Sequence, residues 1–260
     1  MMKNKRFIGN WKGFLFLALI VGFVGCKPST TYKVSKIEGN RIPIDSSFDE
    51  KANSAAVELL APYKSGIDSV MNQVIGYSKI TLKKGRPEST LSNLVADVLR
   101  EAAIDVLGKP ADVGLVNMGG LRNILPEGDI TTGTVFEILP FENSLCVSSI
   151  RGEHLFTLME NIAQVKGEGV SNVNLTISSS GELLSALVDG KPIDKDKMYT
   201  VATIDYLADG NDGMVALMQS EERSCPAGAT LRGLFLDYVQ KQTALGNPIH
   251  AVVEGRIVVK

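Results

Sequence analysis

The chain has 260 residues, 44% of them apolar and 22% charged, with a formal net charge of -2. That much apolar content excludes a disordered chain, and the near-neutral balance excludes a protein that coats a nucleic-acid polymer. With two histidines in the whole sequence, His154 and His250, a histidine-rich dinuclear metal centre is also excluded, and no clustered Asp loop suggests an all-carboxylate metal site. His154 falls in an amphipathic helical stretch and His250 precedes the last predicted strand, so both read as solvated or packing side chains.

The chain opens with Lys3, Lys5 and Arg6, followed by an apolar run from Phe14 to Val24. That run is shorter than the ~20 residues of a membrane span and has the length of a signal-peptide core. Gly25-Cys26 directly after it resembles the bacterial lipoprotein signal, with Phe23 where leucine is usual. The resemblance implies cleavage before Cys26, lipidation of its thiol and attachment to a membrane, because several acyl chains hold far better than one. Residues 27–45 are polar and contain Pro28 and Pro43, the composition of a tether. Residues 46–260 are expected to form one domain.

Within that domain the spacing predicts a helix from Phe48 to about Val74, broken or kinked at Pro62. Ser78 to Leu82 reads as a strand. Glu88 to Leu107 is the clearest helix, with Leu91, Leu94, Val95, Val98, Leu99, Ala102 and Val106 on one stripe, ended by Gly108 and Pro110. A short strand, Asp112 to Val116, leads into Asn117-Met118-Gly119-Gly120-Leu121-Arg122. The paired glycines leave a bare backbone that a ligand can approach. They can also take positive φ and aim N–H groups at one point. Asn117 offers a donor and an acceptor, and Arg122 a planar fork for phosphate or carboxylate. An anion half-site and a plain tight turn both fit this stretch.

Downstream, a short helix runs to Ile138, Leu139 to Asn143 is a turn and Ser144 to Ile150 alternates as a strand. Arg151 to Val165 is helical. Val173–Ser178, Leu183–Val188 and Tyr199–Thr203 are strands, Leu231–Gln242 is a helix and Ala251–Val259 a last strand. Intermixed strands and helices predict an α/β or α+β fold, a mixed β-sheet packed by helices. For Cys146 and Cys225 two states stay open. Export would permit a disulfide, while the alternating strand around Cys146 favours free buried thiols.

Four segments in this order resemble the C-terminal, substrate-binding domain of the 5′-nucleotidase family. They are Glu88 to Asp97 (ESTLSNLVAD), Asn117 to Arg122 (NMGGLR), Leu139 to Asn143 (LPFEN) and Tyr199 to Gly213 (YTVATIDYLADGNDG). The resemblance implies that Asn117, Gly119, Gly120 and Arg122 face a phosphate, that Phe141 and Tyr206 stack on a base, and that Asp212 accepts from ribose hydroxyls. Arg86 sits one place from a further arginine expected on the phosphate. In that family a separate N-terminal domain holds two metal ions and performs the hydrolysis. No Asp-x-His or Gly-Asn-His segment of that domain occurs here, so no catalytic residue and no cofactor is expected in this chain.

Three readings follow. In the first, the chain is the nucleotide-binding half of a phosphohydrolase, working outside the inner membrane with a separately encoded metallophosphoesterase that carries the divalent metals. In the second it is a surface lipoprotein that captures nucleotides or nucleosides. In the third it is an interaction protein on an inherited fold.

Overall fold

The computed structural model describes residues 32–43, 45–51 and 53–260. Cys26 and the apolar run before it lie outside the described residues. The chain divides into two compact units, Met1–Ser54 and Ala55–Lys260. In the first, residues 32–43 have no regular structure and a 3-10 turn covers Ser46–Lys51. The second unit carries the four motif segments.

Helix α1, Ser54–Met71, contains no buried residue and runs through Pro62 without ending. Of the two outcomes expected at Pro62, a break does not occur. A proline inside a helix removes one hydrogen bond, but here the carbonyl it orphans faces solvent and water can satisfy it. Strand β1 is Val74–Ser78, upstream of the predicted Ser78–Leu82. Leu82 makes only an isolated bridge to Leu125. Helix α2, Thr90–Ala102, starts where Ser89 caps the backbone N–H of Ser92, and it buries Leu91, Leu94, Val95, Val98 and Leu99. Each of these leucines contributes about 1.5–3 kcal/mol by leaving water. The stripe predicted to Leu107 is split at Ala103, and a short helix α3, Ile104–Leu107, ends at Gly108 in the left-handed region (φ 71°).

Strand β2, Val113–Val116, is buried at every position. Strand β3, Gly128–Thr131, pairs antiparallel with β1, and helix α4, Thr132–Ile138, follows with a capping box at Thr131 and Thr134. Strand β4 is Leu145–Arg151 and helix α5 Gly152–Gln164. Strands β5 (Gly169–Ser171), β6 (Val173–Ile177), β7 (Leu183–Val188), β8 (Lys191–Pro192) and β9 (Met198–Ile204) come next. They are followed by helix α6 (Asp205–Ala208), β10 (Glu222–Ser224), α7 (Leu231–Ala244) and β11 (Ile257–Val259). The last strand is much shorter than the predicted Ala251–Val259.

These strands form a mixed five-stranded sheet in the order β10-β4-β9-β2-β5, a four-stranded sheet β11-β6-β7-β8 and the β1-β3 pair. The predicted mixed architecture packed by helices is what the chain adopts. In the larger sheet β2 and β9 are parallel, while β4 runs antiparallel to β9 with Leu145 opposite Ile204. Helix α2 lies so close on this sheet that a Cβ on Gly114 would sit 2.4 Å from the Ala96 carbonyl oxygen. Glycine is required there by space, not by φ. Among the described residues no helix is long and apolar enough to cross a membrane.

Cys146 and Cys225 form a disulfide, which overturns the expectation of free thiols. The alternation around Cys146 correctly signals burial, but β10 pairs with β4 so that Ser224 faces Val147. That register leaves Cys225 beside Cys146, with Cα atoms 4.2 Å apart, within bridging reach.

Candidate functional site

Parallel neighbours β2 and β9 end at the same edge of the sheet, and antiparallel β4 begins there. The residues that follow β2, precede β4 and follow β9 are thereby brought together, as ligand sites commonly are at the carboxyl ends of parallel strands. β2 delivers Asn117 and the 3-10 turn Met118–Gly120. The α4–β4 connection delivers Phe141 and Asn143, anchored where Asp205 N–H donates to the Ser144 carbonyl (2.9 Å). β9 passes into α6, which carries Tyr206, and then into the turn Asn211–Gly213, which carries Asp212.

These segments enclose a cavity of about 330 Å³ lined by Asn117, Gly119, Gly120, Phe141, Asn143, Tyr206 and Asp212. Phe141 and Tyr206 are 48% and 40% exposed, so neither is a core plug. Asp212 sits in the left-handed region (φ 53°) between Gly210 (φ 83°) and Gly213 (φ 80°). That conformation is tolerated by aspartate and is a mark of local strain at functional loops. Its carboxylate is already engaged. Oδ2 accepts from Asn117 Nδ2 at 2.6 Å and Oδ1 from the Tyr206 hydroxyl at 2.9 Å. The hydrogen bond to Asp212, and then its charge, push the Tyr206 phenol above its ordinary value of 10. The buried Asn117 Oδ1 has no hydrogen-bond partner.

Neither Gly119 nor Gly120 takes positive φ, contrary to expectation. Gly120 N–H instead closes a tight turn on the Asn117 carbonyl (3.2 Å). A Cβ on Gly120 would lie 2.7 Å from Asn117 Oδ1, so any other residue there would push the Asn117 amide aside. Arg122 does not line the cavity. Its Nη1 donates to the Gly119 carbonyl (3.3 Å) and its guanidinium carbon is 5.9 Å from the Phe141 ring centroid, which places it beside the cavity wall. Arg86, one place from the expected phosphate arginine, has protein partners in this structure. Its Nε donates to the Gly167 carbonyl (2.7 Å) and its Nη2 pairs with Glu168.

Glu168 was invisible to sequence reasoning. It is 2% exposed, and besides Arg86 it accepts from the Met118 backbone N–H, so it holds the turn behind the cavity. Burial chiefly pushes its carboxyl above the usual 4.5. Met118 and Arg86 pull it down, and the Asp212 charge adds to the rise. Nothing near Glu168 in sequence signals this role, apart from the cost of burying a carboxylate without partners. Asn143 was also unassigned, although it closes the Leu139–Asn143 motif.

Chemically, the cavity offers aromatic surface, amide groups and one carboxylate that retains lone pairs for further donors. Among the described residues no three His, Cys, Asp or Glu side chains lie together as metal ligands. Asp212 is the one carboxylate lining the cavity, and no hydrolytic step is assigned to it.

The family described as 5′-nucleotidase, C-terminal domain, matches residues 70–219. The trifunctional nucleotide phosphoesterase protein YfkN of Bacillus subtilis is 28% identical over 83% of this chain and 16% of its own length. Protein UshA of Yersinia enterocolitica is 29% identical over 70% of this chain and 34% of its length. The crystal structure of a 5′-nucleotidase precursor from Thermus thermophilus superposes with a TM-score of 0.68 at 29% identity, covering 79% of this chain and 43% of that one. The chain thus spans less than half the length of each of these relatives. With the matched segment covering more than half of the sequence, including the glycine turn, Phe141, Tyr206 and Asp212, the chain belongs to the 5′-nucleotidase C-terminal domain family.

Proposed function

We propose that this chain is the nucleotide-binding half of a 5′-nucleotidase-type phosphohydrolase and presents its ligand to a separately encoded metallophosphoesterase in nucleotide catabolism. The observation that carries this reading is the convergence of Phe141, Tyr206, Asp212 and Asn117 on one cavity. Base rings stack on aromatic side chains with about 1–3 kcal/mol each and little regard to base identity. The Asp212 carboxylate suits a cis-diol, and a ribose would exchange for one or both of its present donors, Asn117 and Tyr206. The phosphate would lie toward Arg122 and the Gly119–Gly120 backbone. Hydrolysis requires metal-activated water, which the partner supplies. Export and lipid attachment through Cys26 would hold the pair outside the inner membrane.

One observation favours a second reading, in which the chain captures nucleosides without a partner. Arg86 pairs with Glu168, which leaves Arg122, among the described residues, as the arginine beside the cavity wall. Calorimetric titration with AMP, adenosine and inorganic phosphate, with and without manganese or zinc, separates the two. AMP bound more tightly than adenosine, with phosphate release on adding the metallophosphoesterase chain, is the expected result. Equal binding of both with no release under any pairing supports capture. No binding of either ligand, alone or with the partner, overturns both.

A further inference from the structure

Phe141 stands on a connection that has no regular structure of its own. Its ring is half exposed, and the residue before it, Pro140, has no N–H with which to secure the turn. What holds the turn comes from far downstream, in the first turn of α7. We propose that Arg232 is the positioning residue for Phe141, fixing the ring in the orientation that receives a base. The proposal rests on the nucleotide-binding reading above.

The geometry is specific. Arg232 Nη1 donates to the Pro140 carbonyl (3.0 Å) and the Leu139 carbonyl (3.3 Å), and Nη2 to Glu142 Oε1 (2.8 Å). The guanidinium carbon lies 4.1 Å from the ring centroid of Phe136 in α4. The Arg232 side chain is 11% exposed while its partner Glu142 is 80% exposed. One planar fork therefore grips the backbone before Phe141 and the side chain after it, while its face rests on an aromatic ring. A lysine, with one point charge and no planar face, cannot make these contacts together.

Further observations concern the start of α7. The adjacent Leu231 N–H donates to the Asn143 carbonyl (2.8 Å), so the start of α7 holds the connection on both sides of Phe141. α7 is itself capped by Thr230, whose side chain accepts from Gly233 N–H (3.1 Å). A cation in the first turn of a helix also opposes that helix's own dipole. Arg232 is placed there against local preference, and its partners include the carbonyls of Leu139 and Pro140 just past the end of α4. Its position is explained by the turn it holds and not by the helix that carries it.

The test uses the full chain in mild detergent, with Arg232→Lys, Phe141→Ala and the double variant. Adenosine affinity is measured by calorimetry, with ribose 5-phosphate as a probe that lacks the base. Hydrogen exchange of peptides spanning residues 139–145 is followed by mass spectrometry. Arg232→Lys is expected to weaken adenosine roughly tenfold, to change ribose 5-phosphate less than about twofold, and to speed exchange in 139–145. In the Phe141→Ala background the same change should cost no further adenosine affinity, because the two residues act through one contact. Equal weakening of both ligands would assign Arg232 a general structural role and overturn the proposal, as would additive losses or unchanged exchange. If the parent chain binds neither ligand, the nucleotide reading fails, and the exchange data alone decide whether Arg232 orders the turn.

Discussion

Breaking the Cys146–Cys225 disulfide should lower the stability of this chain by several kcal/mol. The bridge joins residues 79 apart in sequence. Closing a loop of that length in the unfolded chain removes about 15 cal/mol/K of entropy, or about 4.5 kcal/mol at 25 °C. Cys146 is also fully buried in β4, so Cys146→Ala adds a small packing loss. Urea unfolding should be followed by far-UV circular dichroism, since the single tryptophan, Trp11, precedes the described residues. With a slope of ~2 kcal/mol per molar urea, the midpoint of the reduced chain should fall by about 2 M. Cys146→Ala/Cys225→Ala should behave like the reduced chain and be insensitive to reductant. Alkylation of the denatured, unreduced chain should leave both cysteines unmodified. Coincident unfolding curves with and without reductant, or ready alkylation of Cys146 before reduction, would refute the reasoning.

Three further outcomes follow from the geometry. Asp212→Asn removes the acceptor charge beside Tyr206, so the raised Tyr206 phenol should return toward 10; ultraviolet pH titration against a Tyr206→Phe control would show no change if the pairing were absent. Burial raises the Glu168 carboxyl above 4.5, so its ionisation opposes folding. Stability relative to Glu168→Gln is then highest below pH 4.5 and is lost as pH rises through the folded-state value; thermal melts between pH 4 and 7 that run parallel in the two proteins would contradict this. Gly114→Ala forces a methyl against the Ala96 carbonyl and should destabilise by about 1–3 kcal/mol, read as a lowered thermal midpoint, whereas an unchanged midpoint would mean that α2 can shift on the sheet.

Helix α2 and strand β2 were legible because their burial is periodic or continuous along the chain, a property that local sequence carries directly. α1 was legible as a helix but not as an exposed one. Its apolar residues have the spacing of a core stripe, and spacing alone does not say whether a partner surface exists. The short strands β5, β8 and β10 were missed because two or three residues carry too little pattern, and their pairing partners define them.

The same division runs through the site. The sequence by itself determined the chemical groups: Asn117 with the glycine pair, Phe141, Tyr206 and Asp212 stand in segments whose order and spacing mark the family. Only the tertiary structure decided how they meet. Asn117 and Asp212 are 95 residues apart and share a hydrogen bond because parallel β2 and β9 end at one sheet edge. It also decided that Arg86 is held by Glu168, that Arg122 stands beside the cavity rather than in it, and that Arg232 reaches back to the Phe141 turn. Apart from the bond of Arg122 to the nearby Gly119 carbonyl, these contacts join residues far apart in the chain, whose local sequences are indifferent to one another. Local propensity fixes what a residue can offer, whereas long-range pairing of strands fixes which other residues it can reach.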